Sequence, residues 1–321
     1  MAIAGFSAGT KKGSPKGAAK APKGAPKVAR SAAERKGSLI AGILLLPGLL
    51  YLALFFLTPL IQLVVTALES PDPSYAIGAY VYDFNLQNFV DVAVKYSQQI
   101  FRSLGYALLA TIFALLISYP LAYFVGVKVR RWPMLQRMTL VLVIAPFFIS
   151  FLLRTVAWKQ LLAVGSPLLG VMQTIGLVPH DGYFIGTPAA VVFGLTYNFI
   201  PFMTLPLYTT LERLDGRLLE AGSDLYASPF KVFTKITLPL SMPGVVSGTL
   251  LTFIPIAGDY VNASRDFLGS SDTSMIGNMV DQDFLSNQNY PYASALSVLL
   301  MATILILVSL YVRRAGTEEL L

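Results

Sequence analysis

The residues in this chain with chemistry to offer are few, and most of them sit in apolar surroundings. Asp259, with Tyr260 and Asn262, follows Pro255 at the end of one apolar run, Arg154 and Lys159 close another, and Tyr197 and Asn198 lie inside a third. Ionisable groups in such stretches are costly to bury and are functional candidates for that reason. A carboxylate at Asp259 has the chemistry to pair with a protonated amine, and nearby aromatic faces suit the same charge. Asp259 also has bland uses: it can cap a helix end or pair with Arg154 or Lys159. Arg154 and Lys159 are long enough to snorkel to a membrane interface with no further role. Tyr197, Asn198 and Arg102 read as lining of a pathway or as hydrogen bonds between helices, and Trp132 and Trp158 as interfacial belt residues. Catalytic sets are absent from the sequence. Without Cys and with the single His180 there is no thiolate nucleophile, disulfide or His-rich metal cluster. Nor does the sequence contain GxxxxGK[ST], HExxH or GxSxG. Neither a catalytic nor a metal site is expected, and the chain is not expected to be an enzyme.

The elements that must position these residues follow from composition. Of 321 residues, 55% are hydrophobic and 13% charged, with a mean hydropathy of +0.64, against about 25% charged in soluble domains. A bilayer-crossing helix needs about 20 apolar residues, because its backbone must satisfy its own hydrogen bonds in lipid. Six stretches qualify, at 39–60, 101–125, 139–158, 187–208, 243–261 and 293–312. The expected fold class is therefore an all-α integral membrane protein with six transmembrane helices. Pro47, Pro59, Pro120, Pro146, Pro201, Pro206 and Pro255 fall in these runs, either as tolerated kinks or as breaks that line a cavity.

Charge gives orientation. Residues 1–38 hold nine of the 24 Lys/Arg and one acid, Glu34, in a Gly, Ala, Pro and Lys pattern with too little apolar area to fold. This segment is predicted to be a retained, disordered, basic cytoplasmic tail. Because the net charge of +7 resides on the tail, and not on a folded face, nucleic-acid binding is not expected. The remaining basic residues concentrate in alternate loops, at Lys128–Arg137, Arg213–Lys235 and Arg313–Arg314, whereas Lys95 and Arg265 alone fall in the others. The positive-inside rule then puts both termini in the cytoplasm. The six-span domain is read as 39–315.

The loop between the fourth and fifth spans, 211–240, is long and amphipathic. Leu211, Leu214, Leu218 and Leu225 recur at helical spacing up to Ala227, where Ser228 and Pro229 stop one helix and start another. Two short helices joined by a tight turn would lie in the headgroup region or form a docking knob for a partner.

Within that loop, Glu220-Ala221-Gly222 followed by Ile236-x-Leu238-Pro239 resembles the EAA loop of ABC importer permeases, at the family's own spacing. Gly222 stands where the family has its second Ala, and Tyr226 where it has Gly. Tyr tolerates positive φ poorly, so the turn is expected to be remade with ordinary φ values. Pro146-Phe147 through Trp158, Pro201-Phe202 through Tyr208, and Leu238-Pro239 through Gly244 resemble the first permease of spermidine/putrescine importers.

The resemblance implies a type I ABC importer permease fold, with a coupling contact formed by Glu220, Ala221, Gly222, Asp224, Leu225, Tyr226, Ala227, Ser228, Pro229 and Phe230. It implies as partners a second permease subunit, two cytoplasmic ATPase subunits carrying ATP and magnesium, and an extracytoplasmic substrate-binding protein. This chain itself would bind no cofactor. The location implied is the bacterial inner membrane, with lipid around the spans, and the cargo a polyamine. Permeases for opines, phosphonates, thiamine, iron or sulfate share the loop, and a secondary transporter or channel is the reading from another class. Candidate pathway residues are Asp259, Tyr260, Asn262, Tyr197, Asn198 and Arg154.

Overall fold

A computed structural model describes residues 44–72 and 78–315. The basic segment 1–38 and the first positions of the first expected span lie outside the described residues.

The chain divides into two units at Thr58/Pro59. The described part of the first unit, from Leu44 to Thr58, is helical throughout. Over Ala53–Leu57 it widens into a π turn, in which the Thr58 N–H reaches back to the Ala53 carbonyl. Pro59 has no N–H to continue an α ladder, and a wider turn is one way a helix accommodates that. The helix as a whole, α1, runs Leu44–Ala67.

In the second unit α1 ends in a short antiparallel hairpin, β1 (Glu69–Pro71) and β2 (Tyr80–Tyr82), paired Glu69 to Tyr82. Then come α2 (Gln87–Lys95) and the long α3 (Ser97–Lys128). A bent pair follows, α4 (Pro133–Phe148) and α5 (Phe151–Leu161), turned by 94°. After α6 (Pro167–Thr174) comes α7 (Pro188–Glu212). The loop helices are α8 (Gly216–Asp224) and α9 (Pro229–Leu240), and α9 meets α10 (Met242–Ala257) at 63°. The chain closes with α11 (Ile276–Asp281) and α12 (Tyr290–Ala315). Four described helices are long and apolar enough to cross a membrane, and the two bent pairs bring the number to as many as six.

The 139–158 stretch, expected as one span, is bent near its middle into two helices that together are long and apolar enough to count as one. Pro146 lies in a tight 3-10 turn, Ala145–Phe148, after which Ile149 is extended at φ −105°, ψ 132°. Ser150 is also extended, with ψ 135°, so two consecutive residues leave the helical ladder and the axis swings.

The core is a packed trio, α3, α7 and α10. On α3 the buried positions from Ser97 to Tyr123 are Ser103, Ala107, Ala110, Thr111, Ala114, Ser118 and Ala122, a stripe of small residues mostly three or four apart. Small side chains let helix backbones approach closely, which matters in lipid, where association is driven by packing and not by water exclusion. On α10, Gly244 and Gly248 do the same toward α7: a Cβ on Gly248 would lie 3.0 Å from the Met203 carbonyl oxygen, and one on Gly244 2.9 Å from that of Pro206. A second cluster joins α2, α11 and α12 through Val92, Tyr96, Ile276, Ala295 and Leu296. There the buried Tyr96 hydroxyl donates to the Asp283 carboxylate at 2.6 Å. Burial, and then that carboxylate, push the phenol's pKa up.

Candidate functional site

Two assemblies of candidate side chains emerge, one beyond the C-terminal end of α7 and one around Asn198 near its middle. The first is the hairpin of α8 and α9. Asp215 caps α8, accepting from the Arg217 N–H at 3.0 Å, so the helix starts at Gly216 and not at Leu211 as the leucine spacing suggested. Ser228 caps α9, accepting from the Lys231 N–H, with Pro229 at the first helical position. Between them the Ala227 N–H bonds to the Gly222 carbonyl at 3.2 Å and the Tyr226 N–H to that of Ser223 at 2.9 Å. This is the Schellman ending of a helix, which requires a left-handed residue between its two donors. Tyr226 is that residue, with φ +57°.

The expectation that Tyr226 would remake the turn with ordinary φ is therefore overturned: the glycine geometry is kept and tyrosine is forced into it. The physical reason lies in the surroundings. Tyr226 is 99% exposed, so no packing penalty adds to the backbone strain, and the two hydrogen bonds offset it. Left-handed φ costs a non-glycine residue about 1–2 kcal/mol. Tyr226→Gly should accordingly stabilise the hairpin by about 1 kcal/mol, net of glycine's greater freedom when unfolded. Slower amide exchange at Gly222 to Ala227 is the expected measurement.

The spacing from Glu220 to Ile236 also finds its reason. Gly222 is buried under α9, where an added Cβ would meet the Ile236 Cδ1 at 2.8 Å and the Val232 Cγ2 at 3.2 Å. The hairpin thus closes on a small residue facing Ile236. Its far side is open. Glu220, Ala221, Asp224 and Ser228 are exposed, and Leu225, Tyr226 and Phe230 present large apolar surfaces at the tip. An apolar tip rimmed by acids has the make-up of a docking surface. Phe233, in the π turn of α9, anchors the base of the knob. Its ring meets Tyr119 at 5.5 Å and Tyr123 at 6.2 Å on α3, and the Tyr119 hydroxyl lies 2.7 Å from the Ser241 hydroxyl at the start of α10. The sequence reading did not single out these anchors, although Tyr119 and Tyr123, one turn apart, and Phe233 are legible as aromatics beside basic loops.

The second assembly lies just beyond the C-terminal end of α10, against the middle of α7. Asp259 is 7% exposed. Its Oδ1 accepts the Asn262 N–H at 2.8 Å and its Oδ2 the Asn262 Nδ2 at 3.1 Å, so it closes the turn that follows α10. The Asn262 Oδ1 in turn accepts from the Asn198 Nδ2 at 3.1 Å, which also donates to the Thr155 hydroxyl at 3.1 Å. A single chain of hydrogen bonds therefore ties α5, α7 and the turn after α10. Thr155 was not foreseen as a member. Tyr260, next to Asp259, points outward into a groove of about 690 Å³ beside Asp281 and Phe284.

Arg154 departs from the snorkelling expectation. It is only 8% exposed, its guanidinium lies 5.8 Å from the Phe151 ring centre, and its buried Nε has no hydrogen-bond partner among the described residues. Lys159 reaches the Asp266 backbone carbonyl at 2.6 Å. Trp158 packs between Phe193 at 4.7 Å and Tyr197 at 5.2 Å, so it contributes to helix packing as well as to any interfacial belt.

Comparison with known proteins agrees with this architecture. Residues 114–315 match the family model of the binding-protein-dependent transport system inner membrane component. The spermidine/putrescine transport system permease protein PotB of Haemophilus influenzae is 35% identical over 270 residues, 84% of this chain and 87% of that protein. The protein of the same name from Escherichia coli is 33% identical over 264 residues, 82% and 93% of the two chains. Among solved structures, a bacterial alginate ABC transporter in complex with its alginate pentasaccharide-bound periplasmic protein aligns with a TM-score of 0.66 at 16% identity, covering 91% of this chain and 99% of that one. That likeness concerns the fold alone. With the family model spanning well over half of its length and two permeases matched along most of theirs, this chain belongs to the binding-protein-dependent transport system inner membrane components.

Proposed function

We propose that this chain, a permease subunit of an ABC importer, carries polyamines of the spermidine and putrescine class. The observation that carries the reading is the 35% identity to a spermidine/putrescine permease along 84% of the chain. In this reading six spans cross the inner membrane, each bent pair counting as one, with both termini cytoplasmic. A second permease completes the path, two ATPase subunits hydrolyse ATP, and an extracytoplasmic binding protein delivers the cargo.

The α8–α9 hairpin, from Glu220 to Phe230, is the coupling contact. Its exposed apolar tip and its aromatic anchorage to α3 support that assignment, because a force applied at the tip reaches α3 and α10 through Phe233, Tyr119 and Ser241. ATP binding closes the ATPase pair, moves the hairpin and tilts the bundle between inward-open and outward-open states. At the opposite end Asp259, Asn262 and Asn198 hold the turn from which Tyr260 projects, and Tyr260, Tyr197 and Arg154 border the cargo's path. Asp259 adds negative charge near that path and so favours a cation.

The test is uptake of labelled spermidine by proteoliposomes holding the complete importer. Uptake should require ATP and be suppressed by excess putrescine but not by an opine, a phosphonate, thiamine, iron or sulfate. Suppression by one of those, with spermidine inert, would reassign the cargo. ATP-independent uptake would remove the chain from the coupled class.

A further inference from the structure

Helix α2 has nine residues, too few to cross a bilayer, and takes part in neither the coupling hairpin nor the polar cluster. Its surface divides into three stripes, each stepping four residues along one side of the helix. The first is buried and ties α2 to the ends of two spans. Asn88 donates to the Ala67 carbonyl at 3.0 Å and to that of Glu69 at 2.8 Å, where α1 finishes, and Val92 and Tyr96 pack on Ala295 and Leu296 of α12. The second stripe, Gln87, Asp91 and Lys95, is polar. Gln87 donates to the Asp91 carboxylate at 2.9 Å, which also accepts from the Tyr292 hydroxyl at 3.0 Å, and the Lys95 ammonium lies 4.6 Å from the Tyr96 ring centre.

The third stripe is apolar and open: Leu86, Val90 and Val94 are 58%, 53% and 72% exposed. A contiguous stripe of this kind, unlike a single exposed leucine, marks a surface that something covers. What covers it follows from where it leads. The helical hydrogen bonds run on through Tyr96, whose N–H bonds to the Val92 carbonyl and whose own carbonyl accepts from Ile100, so the stripe keeps its side as α2 passes into α3. Two turns after Val94 stands Phe101, 76% exposed at the start of a membrane-spanning helix. Beyond it, Leu104 and Leu108 line a groove of about 450 Å³ walled by Phe253, Leu307 and Val308. The apolar stripe of α2 is thus continuous with the apolar flank of a span. Ahead of Leu86, Tyr82 and Phe84 are also exposed, and aromatic rings in that place are typical of a membrane interface.

We propose that α2 is a lipid-binding helix, seated in the interface of the leaflet at its end of the bundle, with Leu86, Val90 and Val94 against the acyl chains and Gln87, Asp91 and Lys95 toward water. That leaflet is the extracytoplasmic one in the orientation proposed above. Amphipathic helices bind bilayers in this manner, with the apolar face at the boundary of headgroups and chains and the charged face outward. Lys95 supplies a charge complementary to lipid phosphates. Because α2 is bonded to the end of α1 and packed on α12, its lipid contact holds both spans at a fixed depth while the α8–α9 hairpin moves at the opposite surface.

The chain has no cysteine of its own, so a nitroxide can be placed singly on Val90→Cys, Val94→Cys, Gln87→Cys or Lys95→Cys in the complete importer with cysteine-free partners. Reconstituted in vesicles of phosphatidylethanolamine and phosphatidylglycerol, each label is relaxed by oxygen, which concentrates in lipid, and by a water-soluble nickel chelate. The ratio of oxygen to nickel accessibility should be several-fold higher at 90 and 94 than at 87 and 95. Equal ratios would mean that the stripe faces water, and low access to both reagents at 90 and 94 would mean that the second permease or the binding protein covers it; either overturns the lipid contact. Should a labelled variant fail to assemble, Val90→Trp exchanges one apolar side chain for another, and phospholipids brominated near the head of the acyl chain should quench it beyond the quenching of Trp132 and Trp158. No added quenching overturns the proposal equally. An impermeant maleimide applied to Gln87→Cys in right-side-out vesicles reports the leaflet: labelling only after lysis overturns the orientation, a failure separate from that of the lipid contact.

Discussion

Glu220→Lys is expected to abolish ATP-driven uptake while leaving insertion, folding and association of the two permeases unchanged. Glu220 is exposed on α8, on the same hairpin as the open tip formed by Leu225, Tyr226 and Phe230. Lys is as good a helix former as Glu, and the burial of Gly222 under Ile236 is on the other side of the helix, so the hairpin itself should survive. What changes is the sign of a charge at a contact that must be desolvated when a partner docks. Reversal at such a site costs about 2–5 kcal/mol, enough to release the partner or leave it bound but uncoupled. Co-purification of the ATPase subunits, ATP hydrolysis and uptake, measured on one preparation, separate these outcomes. Full uptake at normal expression would remove the coupling assignment.

Tyr226→Pro should give the same loss of uptake by a different route. Proline holds φ near −65° and has no N–H, whereas position 226 needs φ +57° and the N–H bonded to Ser223. That variant should lose the protected amides of the turn as well as transport. Glu220→Lys should lose transport alone.

Asn262→Leu is expected to be the most destabilising single change at the other end of the bundle. Asn262 is fully buried and links two elements: its backbone and side-chain N–H groups both bond the Asp259 carboxylate, and its Oδ1 accepts from Asn198. Leucine keeps the backbone bond but removes one donor from a buried carboxylate and the acceptor from Asn198. Removing one of several donors to a buried carboxylate and the acceptor from Asn198 costs about 1–3 kcal/mol, and the loss should appear as a lower melting temperature in detergent and reduced yield. A double change, Asp259→Leu with Asn262→Leu, should cost less than the sum of the two single changes, because removing both partners leaves no carboxylate to satisfy. Strict additivity would mean that the two side chains do not act as a unit.

Much of this protein was legible in one dimension. Spans are set by runs of apolar residues, and a run is a local property that needs no partner to be seen. The hairpin was legible for a similar reason. Ser228 and Pro229 act on their own helix, and the distance from Glu220 to Ile236 is fixed by two short helices and a turn. The failures are equally specific. The 139–158 run is predominantly apolar, and hydropathy carries no record of two extended residues at its middle. Tyr226 in a left-handed turn contradicts local preference, and only the two hydrogen bonds across the turn, with full solvation of the ring, make the strain tolerable.

What the sequence by itself determined, then, is the class of protein, the number of apolar runs and the residue types available. The tertiary structure decided which of them meet. Thr155, Asn198 and Asn262 are 43 and 64 positions apart, and no periodicity within one helix encodes that two helices and the turn after a third share a hydrogen-bond chain. Arg154 reads as a snorkelling side chain until α7 lays Phe199 and Tyr197 beside its own helix. The reason is the same in both cases: a membrane helix is specified by its own residues, but its neighbours are chosen by small-residue stripes such as that of α3, whose effect exists only once the helices have packed.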